Sequence, residues 1–146
     1  MRMKKAKVAG RIAAPAQTNK KDILVDTTIL IDHLRGLQEA RQWLVEMFQS
    51  GRSLYYSVIT RAELLTGVRP GEQDALLKLL GLMRGVNVDD TIASIAAGYM
   101  QKYARSHGLS LPDALIAASA RQSSAGLATL NRKHFPMTDL TVIVPY

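Results

Sequence analysis

The chain predicts an α/β fold in which helices cover both faces of a central, mainly parallel sheet of four or five strands. Two observations carry this. Short, wholly apolar runs such as Ile23-Leu24-Val25 alternate with longer segments of helical periodicity, and parallel strands need a crossover that a helix usually supplies. The third support is size: 146 residues with 47% apolar side chains can build one core, and with no cysteine it must do so without disulfides or thiolate metal sites.

The elements follow in order. Ile23-Leu24-Val25 reads as a buried strand, and Thr27 to Leu34 as a helix with Ile29, Leu30, Ile31 and Leu34 at helical spacing, stopped by Gly36. Glu39 to Gln49 places Ala40, Trp43, Leu44, Met47 and Phe48 on one face and ends at Gly51. Leu54 to Tyr56 is a second strand, after which Ser57 caps a helix from Val58 to Thr66 with Gly67 as its stop. A leucine-rich helix is expected over Asp74 to Arg84, with Gly85 at its end and a third strand at Val86 to Val88. Asp90 or Thr91 should cap a long helix through Ser106, with His107-Gly108 as a left-handed stop. Pro112 suits a first helical turn, so Pro112 to Ser123 is the last helix, and Leu127 to Leu130 and Thr141 to Val144 complete the strands.

The net charge of +7 is unevenly placed. Residues 1–21 hold seven bases and no acid and read as a flexible basic leader outside the fold, while residues 22–146 carry 12 bases against 12 acids. The charge therefore gives the folded body no footprint for nucleic acid. Lys7 and Arg11 interrupt any secretory apolar run, and no stretch is long and apolar enough for a membrane span, so a cytoplasmic protein is expected.

Ligands of open α/β sheets gather beyond the carboxyl ends of the strands. Three acids fall there: Asp26 directly after the first strand, Glu63 about one and a half turns into the helix after the second, and Asp113 in the first turn of the last helix. Each has an ordinary role as well. Asp26 can cap a helix, Glu63 can be solvated surface, and Asp113 can complement a helix dipole. Brought together they repel; two like charges 4 Å apart cost about 4 kcal/mol at an effective dielectric of 20, so such a cluster takes up protons or a cation. Hard oxygen donors favour Mg²⁺, with Mn²⁺ as a substitute.

Four segments resemble the PIN-domain ribonucleases, and among them the VapC toxins of VapBC toxin–antitoxin pairs: Ile23-Leu-Val-Asp26-Thr-Thr-Ile-Leu-Ile-Asp32, Ser57-Val-Ile-Thr-Arg-Ala-Glu63-Leu-Leu-Thr-Gly67, Leu111-Pro-Asp113-Ala-Leu-Ile-Ala-Ala118 and Leu127-Ala-Thr129-Leu-Asn131-Arg-Lys-His-Phe135. They occur in order over residues 22–146 and leave the leader uncovered. The resemblance implies a three-layer α/β/α domain and a Mg²⁺-dependent endoribonuclease. Asp26 and Asp113 would hold the metal, and Glu63 would contribute to it while orienting or deprotonating the attacking water. Asn131 stands where the family often carries an aspartate, which argues for one firm metal and keeps open a catalytically weak domain that binds RNA or a partner. Thr27, Thr28 and Thr129 are auxiliary hydroxyls. The implied partners are an RNA substrate, a small cognate antitoxin that blocks the acidic pocket, and a second copy in a homodimer, with Trp43 and Leu76 to Met83 as candidate contributors.

Arg61, Arg69, Arg132 and Lys133 are candidate phosphate contacts, with nothing in a neutral body to single one out, and the other polar residues read as structural. Asp32 should be surface or paired with Arg35, His33, His107 and His134 lack metal-ligand spacing, and Tyr55-Tyr56 belongs to the core and sheet edge. A phosphoacceptor receiver domain fits poorly, because its acidic pair should follow the first strand, whereas Asp89-Asp90 comes much later.

Overall fold

The computed structural model describes residues 22–146; the leader at 1–21 lies outside the described residues. The elements run β1 (Ile23–Val25), α1 (Thr27–Leu34), α2 (Gln38–Gln49), β2 (Leu54–Ser57), α3 (Val58–Gly67), α4 (Gln73–Gly81), β3 (Arg84–Val86), α5 (Asp90–His107), α6 (Leu111–Gln122), β4 (Gly126–Ala128) and β5 (Val142–Ile143), with one 3₁₀ turn at Arg132–His134. All five strands are parallel, in the order β3-β2-β1-β4-β5.

The alternation of side chains along β1 builds the three layers. Ile23 and Val25 enter a core with Ile29, Leu30, Trp43, Leu44, Leu76 and Leu80 from α1, α2 and α4. Leu24 points the other way, into a core with Leu127, Ile92, Ala96, Ile116 and Ala117. A strand buried on both faces needs an unbroken apolar run, which is what Ile-Leu-Val supplies. The small side chains of α6, Ala114, Ala117, Ala118 and Ala120, are all fully buried and admit close packing against α5.

Several boundaries differ from expectation. The leucine-rich helix ends at Gly81 rather than Arg84, because Leu82 N–H and Met83 N–H close back on Leu79 and Leu80 at 3.1 Å each and turn the chain. Arg84 and Gly85 then belong to β3, so Gly85 is no helix stop. A Cβ there would sit 3.0 Å from the Tyr56 hydroxyl, and that close approach is the reason for glycine. The cap of α5 is Asp89, whose carboxylate accepts from Ile92 N–H at 2.9 Å. Its end was legible: Gly108 adopts φ 65°, a left-handed conformation that glycine takes without a Cβ clash. Strand β4 stops at Ala128, leaving Thr129 and Leu130 beyond the ladder.

Two side-chain expectations also change. Asp32 accepts from Tyr146 Oη at 3.0 Å, while Arg35 pairs with Glu72 at 3.3 Å. Trp43, Leu76, Leu79, Leu80 and Met83 are consumed by the core, which narrows the expected interface segment. Leu82, 70% exposed, and Leu77 remain. No helix among the described residues is long and apolar enough to cross a membrane.

Candidate active site

The chain winds from β1 to β2 and β3 on one side, then returns to place β4 and β5 on the other, so the strand order reverses between β1 and β4. Such a reversal opens a crevice at the strand ends. Asp26 and Thr129 flank it, one residue past each strand. Asp26 N–H donates to Ala128 O at 2.9 Å, which fixes the two strand ends against each other.

Asp26 fills its expected role as a helix cap. It caps α1, with Oδ1 accepting from Thr27 N–H at 2.8 Å. Its Oδ2 accepts from Thr129 Oγ1 at 2.7 Å and from Thr28 Oγ1 at 3.1 Å. The residue is only 3% exposed, and burial pushes its carboxyl above the usual aspartate range, with these donors pulling part of the way back. A carboxylate has about four lone-pair positions, so three accepted bonds leave roughly one for a ligand.

Glu63 reaches the crevice from α3, which Ser57 caps through Ile59 N–H at 3.1 Å. Thr60 and Glu63, three residues apart on the helix, both meet Thr27: its Oγ1 lies 2.9 Å from Thr60 Oγ1 and 2.6 Å from Glu63 Oε1. Because a carboxylate only accepts, the Thr27 proton goes to Glu63, holding one oxygen and leaving the other free.

Asp113 stands at the third position of α6. Ser110 Oγ caps that helix by accepting from Asp113 N–H at 3.3 Å, which spares the Asp113 carboxylate from capping. Burial raises its carboxyl, and repulsion from Asp26 and then Glu63 raises it further, while His134 nearby and Ser110, a side-chain hydrogen-bond partner of the carboxyl, pull it part of the way down. The three acids expected from sequence therefore sense one another across three different strand–helix units.

These groups do not form a finished cage: among the described residues no three carboxylate or imidazole groups already stand close enough to enclose a metal. The donor set nevertheless fits a hard divalent ion. Mg²⁺ commonly uses one or two protein carboxylates and keeps several waters, and here Asp26, Glu63 and Asp113 each retain lone pairs beyond their protein hydrogen bonds. A cation would also relieve the burial and repulsion that raise Asp26 and Asp113.

Asn131 enters through its backbone, donating N–H to Thr129 Oγ1 at 3.0 Å, while its carboxamide is exposed. His134 corrects its structural reading, since Nδ1 lies 3.9 Å from Asp113 Oδ2. A signal existed: side chains three apart in a 3₁₀ turn eclipse, so a turn starting after Asn131 returns His134 to the same side. His33 and His107 stay away from the acids; His107 contacts Ser106 and the Tyr103 ring on α5.

Comparison with known proteins agrees with this geometry. Residues 23–139 match the PIN domain family model. The chain is 45% identical to Ribonuclease VapC10 of Mycobacterium tuberculosis over 116 residues, covering 79% of this chain and 86% of the relative. Its identity to Ribonuclease VapC19 of the same organism is 41% over 115 residues, covering 78% and 92%. In structure it resembles a toxin–antitoxin complex chain from Klebsiella pneumoniae, with TM-score 0.71 and 27% identity over 86% of this chain and 98% of that one. The chain belongs to the PIN-domain family, in the branch of the VapC ribonucleases.

Proposed function

We propose that this protein is a divalent-metal-dependent endoribonuclease, the toxin of a type II toxin–antitoxin pair, that hydrolyses RNA phosphodiester bonds at Asp26, Glu63 and Asp113. The observation that carries the reading is the Asp113 carboxyl. It is raised by burial first and then by Asp26 and Glu63, two acids contributed by other strand–helix units. The names of the relatives, both ribonucleases, support RNA as substrate.

Mg²⁺, or Mn²⁺ in its place, would supply Lewis-acid polarisation of the scissile phosphate and lower the pKa of a water. Asp113 and the residual lone pair of Asp26 would hold it. Glu63, with one oxygen fixed by Thr27, keeps the other to orient or deprotonate the attacking water. Thr129, Thr28 and Thr27 N–H position Asp26 and hold its charge in a buried place. His134, whose Nδ1 lies 3.9 Å from Asp113 Oδ2, would be available to a phosphate held there.

A small antitoxin is the implied regulator, supported by the toxin–antitoxin complex among the structural neighbours. An arginine or lysine from it would pair with the same carboxylates and compete with the metal. The test incubates purified protein with RNA and Mg²⁺, alongside EDTA and the Asp26→Asn and Asp113→Asn variants. Outer-shell changes at metal sites typically cost about 10–100-fold, and loss of a ligand should cost more. Cutting that survives either substitution removes the proposed site. Binding without cutting by the wild type would favour the non-catalytic reading that Asn131 keeps open.

A further inference from the structure

We propose that a cavity beside the carboxylates is a second RNA subsite, which holds one unpaired nucleotide flanking the scissile phosphate. The inference rests on the ribonuclease reading of the acidic site. The cavity measures about 570 Å³, within the range of small-ligand sites, and its lining includes Arg132, Lys133, His107, Phe135, Pro136 and Met137.

Its position follows from the Asn131–His134 turn, which serves as a wall shared by two chambers. On one side Asn131 N–H reaches Thr129, and through it Asp26, while His134 stands beside Asp113. On the other side Arg132 and Lys133 line the cavity. The charge changes sign across a single turn. No carboxylate lines the cavity, whereas the neighbouring crevice carries three.

That pairing suits a continuous polynucleotide better than an acidic protein segment. A strand with one phosphate at the acidic, metal-requiring site must run its next phosphate past this turn, where two permanent cations stand. Arg132 is already oriented, since Nη1 donates to Val142 O at 3.3 Å, and its fork keeps further donors for phosphate. Lys133 is exposed and, among the described residues, has no acidic partner. Phe135 and Met137, 3% and 4% exposed, form a rigid apolar floor, and Pro136 and the exposed His107 ring offer flat surfaces for a base.

The experiment measures anisotropy of a short, labelled single-stranded RNA with the full-length protein, with and without Mg²⁺, over a salt series, and cleavage kinetics of the same RNA. It compares the wild type, Lys133→Ala, the double variant Arg132→Ala/Lys133→Ala, and Lys102→Ala as a charge-matched control on the α5 face away from this cavity. Each lost phosphate contact should lower the salt slope by about 0.7. The double variant is expected to bind roughly tenfold more weakly and to raise KM with kcat little changed, a pattern of lost ground-state binding. Lys102→Ala should match the wild type.

Unchanged slope and KM in the double variant, while the wild type cuts RNA, overturns the subsite and leaves the nuclease reading intact. Weaker, shallower-sloped binding with no cutting by any protein supports the subsite and removes the nuclease reading. If the double variant binds RNA normally but loses affinity for an antitoxin, the cavity belongs to that partner and the proposal fails.

Discussion

Thr129→Val isolates the contact on which the buried Asp26 charge depends. The substitution keeps the shape of a fully buried side chain and deletes the hydroxyl that donates to Asp26 Oδ2 at 2.7 Å. Hydrogen bonds to charged groups contribute about 1.5–3 kcal/mol, and this one is short and shielded from water. The same hydroxyl accepts from Asn131 N–H, but that turn is exposed, so water can replace the acceptor at little cost. For a fold of the size of residues 22–146, a loss of about 1.5–3 kcal/mol lowers Tm by roughly 5–12 °C at neutral pH.

The pH dependence sharpens the test. Burial holds the Asp26 carboxyl above its ordinary value of 3.8, so its contribution to stability falls as pH rises from that value through the raised one. The Thr129 bond opposes the rise; without it the carboxyl moves higher still. The variant should therefore lose more stability than the wild type as pH rises through that window. Below it both carboxyls are neutral, and the difference should shrink to about 0.5–1.5 kcal/mol, the contribution of an uncharged hydrogen bond. Thermal melts in EDTA from acid to neutral pH measure this, and a double-mutant cycle with Asp26→Asn gives the coupling. A penalty independent of pH, or a coupling under about 0.5 kcal/mol, would refute the assignment of Thr129 as the principal donor to a buried charge.

Asp113→Asn should stabilise the metal-free protein relative to wild type above the acidic range, where the like charges of Asp26 and Glu63 otherwise count against it, and the advantage should vanish as pH falls and Asp113 protonates. Mg²⁺ at ten times its Kd should raise wild-type stability by about 1.4 kcal/mol and raise the variant much less; equal responses place the ion elsewhere. Gly85→Ala should cost about 1–3 kcal/mol in denaturant melts, because its Cβ meets the buried Tyr56 ring at 3.0–3.1 Å; no loss would show that the ring yields freely. Tyr99→Phe removes the 2.9 Å bond to Asp139, which also pairs with Arg121, and should increase hydrogen exchange in the segment leading to β5 without altering the acidic crevice. The homodimer implied by family resemblance would rest on exposed Leu77 and Leu82, so Leu82→Arg should convert a dimer to monomer by sedimentation; an unaffected dimer moves the interface off this edge.

What was legible in the sequence was whatever local chemistry dictates. Ile23-Leu24-Val25 had to be covered on both faces, Ser57 had to cap, and Gly108 had to end α5, while Asp26, Glu63 and Asp113 lie near enough to influence one another. What was hidden depended on contacts between distant segments. The leucine period of α4 runs on to Met83, so nothing local revealed that the backbone turns at Leu82 or that Gly85 is required by Tyr56, 29 positions earlier. Asp32 and Arg35 looked like partners by spacing, yet each found a better one from another element in Tyr146 and Glu72. The place of His134 is hidden for a different reason: it has no metal-ligand spacing, and its position beside Asp113 comes from the geometry of a short 3₁₀ turn.

The distribution of charge finally bears on how such a body recognises RNA. With 12 bases against 12 acids in residues 22–146, the folded domain has no net field to draw a polyanion from a distance, and any attraction must be local. On the proposed reading the metal-free crevice would repel phosphate, because Asp26, Glu63 and Asp113 would surround the scissile group. Neutralising those three acids leaves nine against 12 bases, and the surplus then lies next to Arg132 and Lys133 across the shared turn. RNA affinity at neutral pH should accordingly rise with divalent ion even in a variant too slow to cut. A subsite made of cations alone would bind RNA equally well in EDTA, so the ion dependence of binding, separate from that of cleavage, decides whether the two chambers act on one strand.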